Sequence, residues 1–149
     1  MTLNQSKSIL KICGILLAIG SIITIIFGAI FAFGGSYVSG NMPEAQTNPD
    51  YQTAIKIIAT GGILMIISGI IHLIQAIFSY KASNNSKYGK NAYIFAILGL
   101  IATIVSTIPQ FTNANQIQIS TIIGLIAGVG VSAVMLYAAK IVKDDNNTL

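Results

Sequence analysis

Four long apolar runs fill most of this chain, and they constrain its fold more than any motif does. They read as Leu10–Phe33, Ile55–Tyr80, Ala92–Ile108 and Ile117–Ile141. Each is close to the roughly 17–25 residues that carry an α-helix, at about 1.5 Å per residue, across about 30 Å of hydrocarbon. Of 149 residues, 54% are hydrophobic and only 8% charged, with a mean hydropathy of +0.77, whereas about a quarter of an ordinary soluble domain is charged. The sequence therefore predicts an all-α polytopic membrane protein. Residues 1–149 form a single domain, a four-helix bundle with transmembrane helices at about 10–33, 55–80, 92–108 and 117–141 and outer loops at 34–53 and 109–116. The third helix is the shortest, and Pro109 is expected to stop it.

The first run is expected to be a retained helix. Lys7 and Lys11 supply a basic start and Ala32-Phe33-Gly34 a small-residue stretch, but the apolar segment between them is longer than the roughly 7–15 residues of a removable signal. Cys13 is the single cysteine. It reads as a small packing residue, and no intramolecular disulfide can form.

Orientation comes from the lysines, because arginine is absent. Lys7 and Lys11 precede the first run, Lys81, Lys87 and Lys90 lie in the short link between the second and third, and Lys140 and Lys143 end the fourth. By the positive-inside rule this side is cytoplasmic, which places both termini inside a plasma membrane. Lys56 stands alone at the opposite mouth of the second helix, from which it can snorkel outward. The +4 net charge and pI of about 9.3 are thus topological signals first. The lysines are spread over membrane edges rather than gathered with aromatic residues in a groove, so attraction to anionic lipid headgroups is expected and nucleic acid is not.

Small and weakly polar residues form stripes. On the first helix Gly14, Ala18, Ser21, Gly28 and Ala32 share a face. On the second, Gly61, Met65, Ser68, His72, Gln75 and Ser79 fall in one sector, and Gly69 adds a further small position. The third carries Gly99, Thr103, Ser106 and Gln110, and the fourth Gly124, Gly128 and Ser132. In lipid no hydrophobic effect drives helices together, so small residues mark where backbones approach. Gly14, Gly28, Gly69, Gly99, Gly124 and Gly128 are the expected packing glycines, and the stripes are expected to point inward. GILLAIGSIITII from Gly14 and GILMIISGIIHLI from Gly62 also align without gaps, placing Thr24 opposite His72. Shared packing grammar in an isoleucine-rich chain explains this more economically than duplication, although inverted repeats do build transporter sites.

His72 is the only histidine and lies about 12 Å from the lysine end of its helix, at about 1.5 Å per residue. An ionisable residue at that depth is a functional candidate by default. The alternative, favoured here because the spans contain no carboxylate or second histidine, is a neutral imidazole hydrogen-bonded within the bundle, with Gln75 one turn on in the same network. His72, Gln75 and Thr24 are the candidate polar site. The missing residues weigh against several chemistries. Small multidrug exporters use a membrane-embedded carboxylate, metalloproteases need paired histidines with a carboxylate, and covalent catalysis needs a base beside its nucleophile. No cofactor, metal site or enzymatic activity is expected.

Four helices, internal termini, a larger first outer loop and a shorter second resemble the tetraspan layout of claudin and MARVEL proteins. The Trp and cysteine pair of that group are absent from Gly34–Thr53. The Ile, Lys and Asn richness without arginine, with the GILL and GGILMIISGII phrasing, is similar to small uncharacterised four-helix membrane proteins of low-GC Gram-positive bacteria. That resemblance implies a bacterial plasma-membrane location and a non-enzymatic role as an accessory subunit, scaffold or immunity protein. The expected partners are the lipid bilayer and another membrane protein or further copies of the chain. The competing expectation is a small oligomeric channel or transporter with His72 lining the path.

Overall fold

The computed structural model describes residues 1–41, 47–112 and 119–146, and among these it is all-helical. Four α-helices, α1 (Leu3–Asn41), α2 (Pro49–Asn84), α3 (Gly89–Thr112) and α4 (Ile119–Asn146), run up and down, with one 3₁₀ turn at Ser86–Tyr88 between α2 and α3. Among the described residues, three stretches are long and apolar enough to cross a membrane: Leu3–Gly35, Pro49–Asn84 and Ser86–Val105. Around the bundle α1 packs on α2, α2 on α3, α3 on α4, and α4 returns to α1.

The helices begin earlier than the apolar runs do, because polar residues cap them. Thr2 and Gln5 form a capping box ahead of α1. The Thr2 backbone N–H donates to Gln5 Oε1 at 2.9 Å and the Gln5 N–H to Thr2 Oγ1 at 3.3 Å. Before α2, Asn48 accepts from the Asp50 N–H at 2.9 Å while Pro49 occupies the first helical position. Proline lacks only an N–H that has no partner there, and Asp50 complements the helix dipole. Of the stretch read as an outer loop at 34–53, residues 34–41 belong to the end of α1 and 49–53 to the start of α2, while 42–46 lie outside the described residues. Likewise α3 continues past Pro109 to Thr112, since a proline this close to a helix end removes only the bond to the Val105 carbonyl. The rest of the loop read at 109–116 lies outside the described residues.

The α1–α2 contact follows a seven-residue rhythm. A Cβ at Gly14 would meet the Ala76 carbonyl at 3.2 Å, one at Gly69 the Ser21 carbonyl at 3.2 Å, one at Gly28 the Gly62 carbonyl at 2.8 Å, and one at Gly35 the Ile55 side chain at 3.0 Å. Gly14, Ser21, Gly28 and Gly35 thus run antiparallel to Ala76, Gly69, Gly62 and Ile55. A strict heptad of contacts keeps two helices in register at a left-handed crossing of about 20°. Here the seam is lined by backbone rather than by leucine knobs. The α1 stripe read from sequence coincides with this seam. On α2 the seam lies one residue away from the polar sector, at Gly62, Gly69 and Ala76, and a Cβ at Gly61 would meet open space. Within that sector Gln75 turns toward α3 and α4, whereas Ser79 lies against Gly14 of α1.

At the lysine-rich end all four helices converge. Leu10, Ala82, Ala92, Ala138, Ala139 and Val142 make one buried cluster, covered by Leu3, Ile9, Phe78, Tyr88 and Tyr93. The approach is close because Gly89 sits on the α4 backbone, where a Cβ would come within 2.7 Å of the Lys143 nitrogen. Ser86 Oγ then donates to Asp145 Oδ2 at 2.9 Å, tying the α2–α3 turn to the end of α4.

The distribution of size and polarity is inverted relative to a water-soluble bundle. The largest fully buried side chains include Gln75, Ser6 and Ser79 beside Leu10, Met135 and Val142, whereas Ile12, Leu16, Ile19, Ile26, Phe33, Ile57, Ile101 and Ile126 are exposed. A soluble helix presents a polar face to water and its apolar stripe to the core.

Candidate polar site

The polar sector of α2 meets α3 and α4 at Gln75. Its side chain is 1% exposed, and it reaches that depth because Gly99 of α3 leaves a notch. A Cβ at Gly99 would land on the Gln75 carboxamide. Within the notch Gln75 Nε2 donates to Met135 Sδ of α4 at 3.9 Å, while Gln75 Oε1 lies 3.3 Å from His72 Nδ1. An amide oxygen only accepts, so in this pairing Nδ1 carries the hydrogen and a neutral imidazole keeps Nε2 as an acceptor. Three elements are thereby connected through one carboxamide.

His72 itself is half-buried. Among the described residues Gln75 is its only hydrogen-bond partner, and that bond lies within α2. The tie to α4 runs through Gln75, which makes the glutamine the central member and the histidine its neighbour. Nearby, Thr103 Oγ1 donates to the Gly99 carbonyl at 2.9 Å, and a Cβ at Gly128 of α4 would meet the Thr103 methyl at 3.1 Å. Ser79, one turn beyond Gln75, is fully buried beside Gly14, and its hydroxyl has no hydrogen-bond partner among the described residues.

Thr24 does not join this group. Its hydroxyl donates to the Gly20 carbonyl of its own helix at 2.9 Å. The heptad register puts His72 at the height of Ala18 and Thr24 at that of Ile66, about 9 Å away along the axis. The gap-free alignment of the two apolar runs is a parallel one, and the helices that carry them pack antiparallel.

Of the packing glycines read from sequence, Gly14, Gly28 and Gly69 lie in the α1–α2 seam, Gly99 holds Gln75, and Gly128 faces Thr103. The surroundings of Gly124, Ser106 and Gln110 lie outside the described residues. Gly62 and Gly89 are close-approach positions that the sequence reading passed over. Gly62 was masked by its neighbour Gly61, and Gly89 sits in a polar link where no stripe was sought.

Chemically, the site can hold a polar side chain in a buried interior and offer one imidazole nitrogen to a neighbour. Among the described residues no group of three or more His, Cys, Asp or Glu side chains could hold a metal ion. Compared with known proteins, the chain matches no protein-family model, no curated protein and no solved structure.

Proposed function

We propose that this protein is a polytopic plasma-membrane protein with both termini cytoplasmic, and that it acts by binding as an accessory, scaffold or immunity-type partner of another membrane protein. The observation that carries the membrane placement is the inverted bundle, with small and polar residues inside and a continuous coat of isoleucine and phenylalanine outside. The tyrosines support it. Tyr37 and Tyr51 lie toward one end, and Tyr80, Tyr88, Tyr93 and Tyr137 toward the other. The helix from Tyr51 to Tyr80 is about 43 Å long, close to the roughly 40–45 Å of a bilayer with its headgroup layers, where tyrosine concentrates. Lys56 then sits about 7 Å below Tyr51 on an exposed face, within snorkelling reach of the outer headgroups.

The binding role is supported by His72. Among the described residues only one ring nitrogen of the half-buried His72 has a partner; an unpaired polar nitrogen at membrane depth is costly against hydrocarbon, and a polar group on a neighbouring protein helix relieves that cost. The second reading, an oligomeric channel or transporter, draws on the same imidazole. Because Gln75 and Met135 fill the interior at this height, a path would run between copies rather than through one bundle. Native mass spectrometry of the protein released from its membrane in mild detergent tests the proposal. A discrete complex with a different membrane protein is expected. A symmetric oligomer would transfer support to the channel reading, and a bare monomer would contradict both.

A further inference from the structure

At the lysine-rich end, two ammonium groups rest on aromatic rings. Lys81 Nζ lies 5.9 Å from the Phe78 ring centroid and 5.5 Å from that of Tyr88, and Lys143 Nζ lies 4.6 Å from that of Tyr93. The rings are fixed: Phe78, Tyr88 and Tyr93 all pack on the buried cluster, and Phe78 stacks on Phe95 at 5.1 Å. A cation over a ring face is held in place electrostatically, and the N–H donors on its far side are left to meet an anion. Seven of the eight lysines are at this end, and the described carboxylates here are Asp144 and Asp145. Asp145 is engaged by Ser86 Oγ. One turn before Lys81 on the same helix Ile77 is exposed, and Ile94 on α3 is exposed as well, so the apolar coat reaches this end of the bundle.

We propose that the α2–α3 corner binds an anionic phospholipid, its phosphate held by Lys81 on the Phe78–Tyr88 platform and its acyl chains lying along Ile77 and Ile94. The assignment rests on the membrane reading above. Free phosphate shares the chemistry of the headgroup, but the apolar coat that reaches this end of the bundle favours the lipid. This corner is also the turn that joins α2, α3 and α4, so a lipid there would secure the end at which the helices converge.

The test is native mass spectrometry of the full chain equilibrated in detergent with equal amounts of phosphatidylglycerol and phosphatidylcholine. Retention of phosphatidylglycerol should exceed that of phosphatidylcholine by about fivefold, as expected for one lysine near a headgroup. Lys81→Gln should lose the preference, and Lys56→Gln, at the far end, should keep it. Raising the salt concentration should abolish it in the wild type, which tests the idea even if Lys81→Gln does not fold. Equal retention of both lipids, a preference that survives high salt, or an unaltered preference in folded Lys81→Gln would overturn the proposal. Displacement of the lipid by millimolar inorganic phosphate would also overturn it, by identifying a soluble ligand. Membrane reading and lipid site fail separately. Release of the protein from membranes by alkaline carbonate overturns both, whereas retention in the membrane without lipid preference overturns the site alone.

Discussion

Gly62→Leu should be the most damaging single substitution in the described part of the chain, while the neighbouring Gly61→Leu should be nearly silent. A Cβ at Gly62 would collide with the Ala32 nitrogen and come within 2.6 Å of the Gly28 carbonyl oxygen and 2.9 Å of the Phe31 carbonyl carbon. All three are backbone atoms, so no rotamer change relieves the clash and the two helices must separate. Overpacking a core typically costs about 1–3 kcal/mol. Here the cost should reach or pass the top of that range, because separating the helices at Gly62 also disturbs the close backbone approaches at Gly28, Gly69 and Gly14. At Gly61 nothing lies within 4 Å, and a change of about 0.5 kcal/mol or less is expected. Thermal unfolding of the two variants in detergent, followed by circular dichroism, measures the difference. Equal stability of the pair would mean that the α1–α2 register described here is wrong.

The second large effect is expected at the Gln75 notch. Gly99→Ala puts a methyl group where the Gln75 carboxamide sits. It should therefore expel the side chain and break both its bond to Met135 and its contact with His72, at a cost of about 1–3 kcal/mol. Gln75→Ala removes the displaced group. The double variant should consequently be more stable than the sum of the single changes implies, with a coupling of at least about 1 kcal/mol. His72 is predicted to matter less. His72→Gln keeps a hydrogen-bonding amide and should be almost neutral. His72→Leu leaves Gln75 Oε1 without its partner and should cost about 0.6–2 kcal/mol, the range for hydrogen bonds in membrane bundles. Strict additivity of Gly99→Ala and Gln75→Ala would show that the carboxamide does not occupy the notch. Loss of biological activity in a folded, stable His72→Gln would move the histidine from a structural to a direct functional role.

How much of this was legible in the sequence differs from element to element. The four helices were readable because apolar runs of this length have few other uses, and the α1 stripe was readable because Gly14, Ser21 and Gly28 repeat at one spacing. The seam on α2 was harder. Grouping residues by polarity selects Gly61, Met65, Ser68, His72, Gln75 and Ser79, but close approach is set by where a side chain is missing, which is one position away. Carrying the α1 heptad across an antiparallel partner would have chosen Gly62, Gly69 and Ala76. The helix starts were also encoded, in Thr2 with Gln5 and in Asn48-Pro49-Asp50, but hydropathy does not register caps. For the polar site, His72 and Gln75 were visible as neighbours on one helix. The notch at Gly99 and the sulfur of Met135 come from other helices at a sequence separation that no local pattern spans. Thr24 was drawn in by a parallel alignment that antiparallel packing does not honour.

Long helices with an apolar exterior and a glycine-lined interior fit the lipid surroundings proposed above. Single cysteines placed in a Cys13→Ser background and probed with a membrane-impermeant thiol reagent test that placement most directly. In intact cells, a cysteine at Asn41 should be labelled, one at Ser83 should be labelled only after permeabilisation, and one at the exposed mid-helix Ile23 should be labelled in neither condition. Labelling of a cysteine at position 23 in aqueous reagent without detergent would show that the isoleucine coat faces water and would overturn the membrane placement. Labelling of Ser83 in intact cells with protection of Asn41 would keep the membrane but reverse the orientation.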